Sequence, residues 1–406
     1  MAKPHDAMSP ITLLFFIVFQ HVQIVSIYGH PISMGQITGY VLAVPMILGS
    51  WKRRETLIIV CVFTLLAALV ALNNQSELDV AGFSLTLFQS SVVLQLFMSG
   101  QFARVPPLTQ AKIDRTLFIG LCLVVGYSLV QVWSGMRGDF ALFAPWGDRQ
   151  YLYRPILSFG VDGIPRSSGL YLEPSYNAFV IMSLVVAILQ SRKFRDVSLI
   201  LGAVGILATQ SVAGIVSFFI IAVLVSFSAS KYQTIRLLVL LSVPVITASY
   251  VFGRLTSTSD QGSSANYRLI QPLQLLYKTL GEYPLGHALG SIHSTVSSAG
   301  LSMQGSQSAS SLDNGLYVLV FYFGWIGVAL VCALVAWASR CALQILFSST
   351  GDSTYRVGPV WVALSFGFSG AVFSVEFGIF SVLSLAAYFA RERIGVRNDF
   401  QSLKDL

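Results

Sequence analysis

The chain has 406 residues, 54% hydrophobic and only 11% charged, with a formal net charge of +7 and a mean hydropathy of +0.71. Soluble domains carry about 25% charged residues, so this composition excludes an ordinary soluble enzyme. The basic residues stand in short clusters between apolar runs, which is the pattern of membrane topology and not of a nucleic-acid groove.

A membrane-spanning helix needs about 17–25 apolar residues. Twelve runs approach that length, at 11–28, 36–50, 57–73, 83–103, 116–134, 175–190, 197–210, 212–229, 235–252, 314–338, 357–373 and 376–390. The expectation is an all-α integral membrane protein of about 12 transmembrane helices. Run 11–28 follows a weakly basic start without a small-residue cleavage site, so it is expected to be retained as a span. Cys61, Cys122, Cys332 and Cys341 lie in or at the ends of apolar segments, and neither disulfides nor a metal site are expected of them.

Short basic loops set the orientation. Lys52-Arg53-Arg54, Arg104/Lys112/Arg115, Arg192-Lys193-x-Arg195, Lys231/Arg236, Arg340/Arg356 and the C-terminal Arg391, Arg393, Arg397 and Lys404 all fall on one side. With both termini cytoplasmic, 18 of the 25 Lys and Arg residues are inside and seven outside, as the positive-inside rule requires. The chain then divides into N-terminal spans (1–134), a first outer loop (135–174), central spans (175–252), a second outer loop (253–313), and C-terminal spans with a cytoplasmic tail (314–406). Loops of such length are usually functional or disordered. Within the second, Tyr267–Leu280 carries apolar residues at helical spacing and reads as an amphipathic helix at the membrane surface, ended by Pro284 and Gly286.

The outer loops hold Arg137, Arg149, Arg154, Arg166, Arg254 and Arg268, against the general bias of the chain. Arginine on that side suggests an anionic ligand, since its planar fork binds phosphate oxygens in pairs. Arg166 lies seven residues before Glu173, where the run beginning at Pro174 opens. Glu173 suits a reactive carboxylate, with a helix cap paired with Arg166 as the alternative. Tyr267 and Arg268 head the amphipathic segment, while Arg254 and Lys278 also suit interfacial anchors. His287 and His293 can accept protons near neutral pH, or be plain loop residues. Asp313-Asn314 stands at the mouth of the next span, where an acid can cap the helix and still face a shared cavity. Thr209-Gln210-Ser211 is a polar break with Gly214 beside it. Gln20 and His21, inside the first run, read as structural hydrogen-bonders, and Glu376 at the outer end of the last run admits either a structural or a functional role.

Four pieces in this order resemble the bacterial O-antigen polymerase and O-antigen ligase superfamily. They are Arg166…Gly169-Leu170-Tyr171…Glu173-Pro174-Ser175, Thr209-x-Ser211-x-x-Gly214, Arg268 followed by Tyr283-Pro284-Leu285-Gly286 and Gly290, and Asn314-Gly315-Leu316-Tyr317 with Gly324-Trp325-Ile326-Gly327. The resemblance covers about 160–330. Where the ligase branch has His before the Asn, this chain has Asp313, which favours polymerase over ligase. The resemblance implies a GT-C-like glycosyltransferase of the bacterial inner membrane with two long periplasmic loops and no cofactor. It would take its donor from an undecaprenyl-pyrophosphate-linked glycan, in contact with membrane lipid, alongside the flippase and chain-length regulator of its pathway. Glu173, Asp313 and His287 are then the candidate catalytic residues. Arg166, Arg268, Arg254, Tyr267, Tyr176 and Asn314 are the candidate substrate-binding residues, and Trp146, Tyr151, Tyr153 and Tyr171 candidate cavity linings. The alternatives are ligation of a finished glycan to lipid A core or protein, a lipid-glycan flippase, and a structural partner of an assembly complex.

Overall fold

The computed structural model describes residues 9–27, 30–50, 54–74, 79–99, 107–146, 157–160, 163–189, 191, 193–227, 266–299, 312–347, 353–368 and 370–404. The run at 235–252 lies outside the described residues, as do Arg149, Tyr151, Tyr153, Arg154 and Arg254.

Among the described residues the architecture is helical, with one small hairpin. In chain order come α1 (Pro10–Val18), β1 (Gln23–Ile27), β2 (His30–Ser33), α2 (Met34–Ser50), α3 (Arg54–Asn73), α4 (Val80–Ser99) and α5 (Pro107–Met136). The central part holds α6 (Pro174–Ile188), α7 (Arg195–Thr209) and α8 (Val212–Phe227). After a π-turn at Asn266–Ile270 come α9 (Gln271–Glu282), α10 (Ile292–Ser298), α11 (Gly315–Phe347), α12 (Val357–Ser365) and α13 (Val375–Lys404). Among the described residues, four stretches are long and apolar enough to cross a bilayer: α3, α4, Gln110–Met136 of α5, and α11. Shorter apolar helices at Met34–Leu48, Pro174–Ile188 and Val212–Phe227 add to them, and the chain is a multi-pass membrane protein.

Helix α6 is the axis of the bundle. Every residue of it except Tyr176 is buried, and it packs against α5, α7, α8, α12 and α13. A helix apolar on all sides belongs in a core. Small residues let its neighbours approach: a Cβ on Gly214 would stand 2.9 Å from that of Ala178, and one on Gly205 would press on Val125 and Ile181. The outer ring is different. On α3 only Thr56, Ala67, Val70 and Ala71 are buried, while Leu57, Ile58, Val62, Leu65, Leu69 and Leu72 are exposed, an apolar face suited to lipid.

The structure corrects the first run. The helix expected over 11–28 stops at Val18, and an antiparallel hairpin follows, pairing Val25 with Ile32 and Ile27 with His30. The β-branched Val22, Ile24, Val25 and Ile27 favour extended backbone, and Pro31 cannot continue a helix. Periodicity alone does not separate strand from helix in so short an apolar stretch. The helix expected to end at 338 runs on to Phe347, broken at Gly324, where φ is 52° and ψ −127°. The run at 357–373 is helical only to Ser365, whereas α13 continues far past 390.

Candidate active site

The segment before α6 is held from below by one buried glutamine. Gln131 Oε1 of α5 accepts the Ser167 hydroxyl (2.7 Å) and the Gly169 N–H (2.9 Å), and its amide donates to the carbonyls of Leu142 (3.0 Å) and Gly169 (3.2 Å). Gly169 has φ +60°, and a Cβ there would strike the side chain of Asn177. The buried Tyr171 donates its hydroxyl to the Ile17 carbonyl at 2.8 Å, and burial pushes that phenol's pKa up. On the other side the Ser167 N–H reaches the Ala208 carbonyl (2.9 Å), and Arg166 Nε donates to the Thr209 carbonyl (3.3 Å). The run from Arg166 to Tyr171 is thus a cradle that delivers Glu173 to the head of α6.

Glu173 occupies the N-cap position, yet its carboxylate does not cap the helix. Glu173 Oε2 instead accepts the Ser175 hydroxyl (3.0 Å) and faces Arg268 at 3.5 Å. The same Arg268 nitrogen lies 3.6 Å from Asp313 Oδ2 and 3.4 Å from Ser175 Oγ. All three charged side chains are only about a fifth to a quarter exposed (Arg268 20%, Glu173 26%, Asp313 23%). One guanidinium therefore bridges two carboxylates from distant parts of the chain, while its buried Nε has no hydrogen-bond partner among the described residues. A buried donor left unpaired calls for an explanation, and a ligand supplies one.

These groups line a cavity of about 410 Å³ that also includes His21, Gln36, Thr86, Gln89, Ser175, Tyr176, Tyr322, Phe373, Ser374 and Glu376. That volume lies in the usual range for small-molecule sites. His21 Nδ1 accepts the Leu172 N–H at 3.2 Å, so the proton of the neutral ring sits on Nε2. Its ring rests against Tyr176, centroids 4.4 Å apart, and Tyr176 donates to Gln20 Oε1 at 2.8 Å.

The glycine-rich pieces form the frame behind this cavity. Trp325 N–H donates to the Pro284 carbonyl (3.0 Å) and His287 N–H to the Phe321 carbonyl (2.9 Å). A Cβ on Gly324 would overlap the Pro284 carbonyl, and one on Gly286 the Tyr322 backbone. Gly290, at φ +87°, sits on the backbone of Gly82 in α4. The Tyr283–Gly286 turn and the Gly324 kink are two halves of one backbone-to-backbone contact.

Of the residues named from sequence, the structure brings Glu173, Asp313, Arg268 and Tyr176 together. Arg166, His287 and Asn314 stand outside the cavity lining, and Arg254 lies outside the described residues. Arg166 binds the end of α7 and does not line the cavity. His287 is 3% exposed, stacked on Phe321 at 4.3 Å and set 3.1 Å from Thr279 Oγ1, also outside the cavity lining. That sandwich accounts for His287 by packing, away from the cavity that Glu173 and Asp313 line. Asn314 Oδ1 accepts the Leu316 N–H at 3.1 Å, capping α11. Trp146 packs on Phe19, and Tyr171 is sealed in the core. The backbone of Tyr267 belongs to the π-turn, and its side chain lies outside the described residues. His21 and Glu376 join the site although their placement in apolar runs pointed first to structure. The signal for them was an ionisable residue in such a run, which is functional by default.

Residues 8–390 match the family described as WcaD colanic acid polymerase. The chain belongs to the WcaD colanic acid polymerase family. Within the curated proteins, it is 25% identical over 307 residues to the Escherichia coli (strain K12) protein described as "Putative colanic acid polymerase", covering 72% of this chain and 74% of that one. Membership in the WcaD family makes the chain a repeat-unit polysaccharide polymerase, in line with the resemblance carried by its motifs.

Proposed function

We propose that this polymerase joins glycan repeat units carried on undecaprenyl pyrophosphate, at the periplasmic face of the inner membrane, without a metal ion. The observation that carries the reading is Arg268, which lines the cavity, is clamped between Glu173 and Asp313, and has a buried Nε–H without a partner among the described residues. An acceptor sugar hydroxyl attacks the anomeric carbon of the donor unit. The new carbon–oxygen bond forms as the bond to the pyrophosphate oxygen breaks, and the electron pair leaves with undecaprenyl pyrophosphate. The hydroxyl proton passes to Asp313, which holds the position where the ligase branch carries histidine, and from there to water. Arg268 turns its free Nε–H to the leaving phosphate, where a preorganised donor is worth several kcal/mol. Glu173 and Ser175 fix the guanidinium for that task. One arginine already engaged by two acids does not balance a pyrophosphate, so Arg254 is assigned as a second phosphate contact. The periplasmic side follows from the basic clusters that the positive-inside rule assigns to the cytoplasm.

Purified protein in detergent, given its native undecaprenyl-pyrophosphate repeat unit and no metal or nucleotide, tests the reading. A ladder of lipid-linked products with release of undecaprenyl pyrophosphate is expected, unchanged by EDTA. Turnover that appears only with lipid A core would shift the assignment to ligase. Loss of turnover in EDTA, restored by a divalent cation, would remove the metal-free step.

A further inference from the structure

Glu376 sits in the first turn of α13, is 6% exposed and lines the cavity. Its Oε1 accepts the Ser33 hydroxyl at 3.4 Å, which ties α13 to the hairpin. Its Oε2 is buried and makes no hydrogen bond of good geometry among the described residues, although the Ser374 side chain and the Glu376 N–H stand near the carboxyl. A structural tie needs only one oxygen, and leaving the other unsolvated and unpaired is costly. The neighbouring wall is polar and largely uncharged: Gln36 from α2, Thr86 and Gln89 one turn apart on α4, and Ser374. Gln36, also in the cavity lining, accepts the Ser33 N–H on its carbonyl oxygen at 3.1 Å. The cationic Arg268 is held elsewhere in the cavity by Glu173 and Asp313. A carboxyl group among amides and hydroxyls supplies no cation for a phosphate and accepts hydrogen bonds from sugar hydroxyls, while Tyr322 and Phe373 offer apolar faces to the C–H side of a ring.

We propose that the wall built by α2, α4 and the start of α13 is a sugar subsite, in which Glu376 Oε2 accepts a hydroxyl hydrogen bond from a neutral pyranose unit of the glycan. This rests on the polymerase reading and adds to it the residue that holds a sugar, apart from the groups that act on phosphate and proton. Glu376 is a binding residue here, so its loss raises KM or Kd and spares kcat.

The probe is the lipid-free repeat-unit oligosaccharide obtained by mild acid hydrolysis of the producing strain's own polysaccharide. Its binding to detergent-purified wild type, Glu376→Ala, Glu376→Gln and Asp313→Asn is followed by intrinsic fluorescence, with thermal unfolding as the folding control and turnover of the lipid-linked unit measured in parallel. Saturable binding to wild type is expected, with affinity at least about tenfold lower in Glu376→Ala and about threefold lower in Glu376→Gln. Asp313→Asn should bind as wild type and fail to turn over. If Glu376→Ala does not fold, Glu376→Gln decides: wild-type affinity in a folded Glu376→Gln overturns the subsite, as does the absence of saturable binding to wild type. Wild-type turnover with Glu376-independent binding overturns the subsite alone. Glu376-dependent binding without any turnover of the lipid-linked unit overturns the polymerase reading and leaves the subsite standing.

Discussion

Arg268 and Arg166 carry the same charge and stand in matching motif pieces, and the sequence assigns both to phosphate. Their surroundings separate them. Arg268 lies between two carboxylates in a cavity, whereas Arg166 donates to the carbonyl that ends α7. Arg268→Ala should therefore lower turnover at least about a hundredfold at unchanged melting temperature, the range seen when one transition-state donor is removed. Arg268→Lys should rescue little, because an ammonium that takes the place of the nitrogen between the two acids leaves no second donor in the position of Nε–H. Arg166→Ala should instead lower the melting temperature, and lose activity only as the cradle under Glu173 loosens; equal melting temperatures for both variants would contradict this division. His287 gives a third contrast. Stacked on Phe321 and bonded to Thr279, it should tolerate His287→Phe with turnover within about threefold and a stability loss of about 1 kcal/mol for the lost hydrogen bond. A hundredfold loss of turnover in that folded variant would restore it as the base.

Among the elements, the glycine pieces show how a motif can be read correctly as a pattern and still be silent about its purpose. Gly324 adopts φ 52° and ψ −127°, where a side chain is strained, and the Pro284 carbonyl occupies the place of its Cβ. Gly324→Ala should cost at least about 1–3 kcal/mol from backbone strain before the clash is counted, visible as a lower melting temperature in detergent. Wild-type stability would mean that the kink is dispensable. The amphipathic segment behaves as its periodicity implies, with an adjustment of face. Pro272, Leu275, Leu276 and Thr279 turn inward, while Leu269, Ile270, Leu273 and Tyr277 lie outward, as suits an interfacial helix. The first apolar run is the element that composition misassigns, because a hydrophobic stretch rich in β-branched residues satisfies a strand as well as a helix.

At the scale of the molecule, α5, α7, α8, α12 and α13 surround α6, and the site stands where the N-terminal end of α6 meets the π-turn and the start of α11. The basic-loop pattern then predicts sidedness. In a cysteine-free background, Asp139→Cys should react with a membrane-impermeant maleimide from the outside, and Lys193→Cys only after the membrane is opened. The reverse result would place the cavity on the cytoplasmic face and remove the periplasmic donor.

Composition and apolar spacing alone determined that this is a helical, multi-pass membrane protein, and the ordered motifs alone pointed to glycan polymerisation. Both are local properties: a span needs only enough consecutive apolar residues, and a motif only its own neighbours. Which charges meet was decided by tertiary packing. Arg268 and Glu173 are 95 residues apart in the chain, and Ser33 and Glu376 343 apart. Nothing in either local stretch distinguishes Arg268 from Arg166, or a buried Glu376 from a lipid-facing one. Only the packing of α2, α4 and α13 with the head of α6 turns those side chains into one cavity, because burial and partnership belong to the assembled bundle and not to any of its helices.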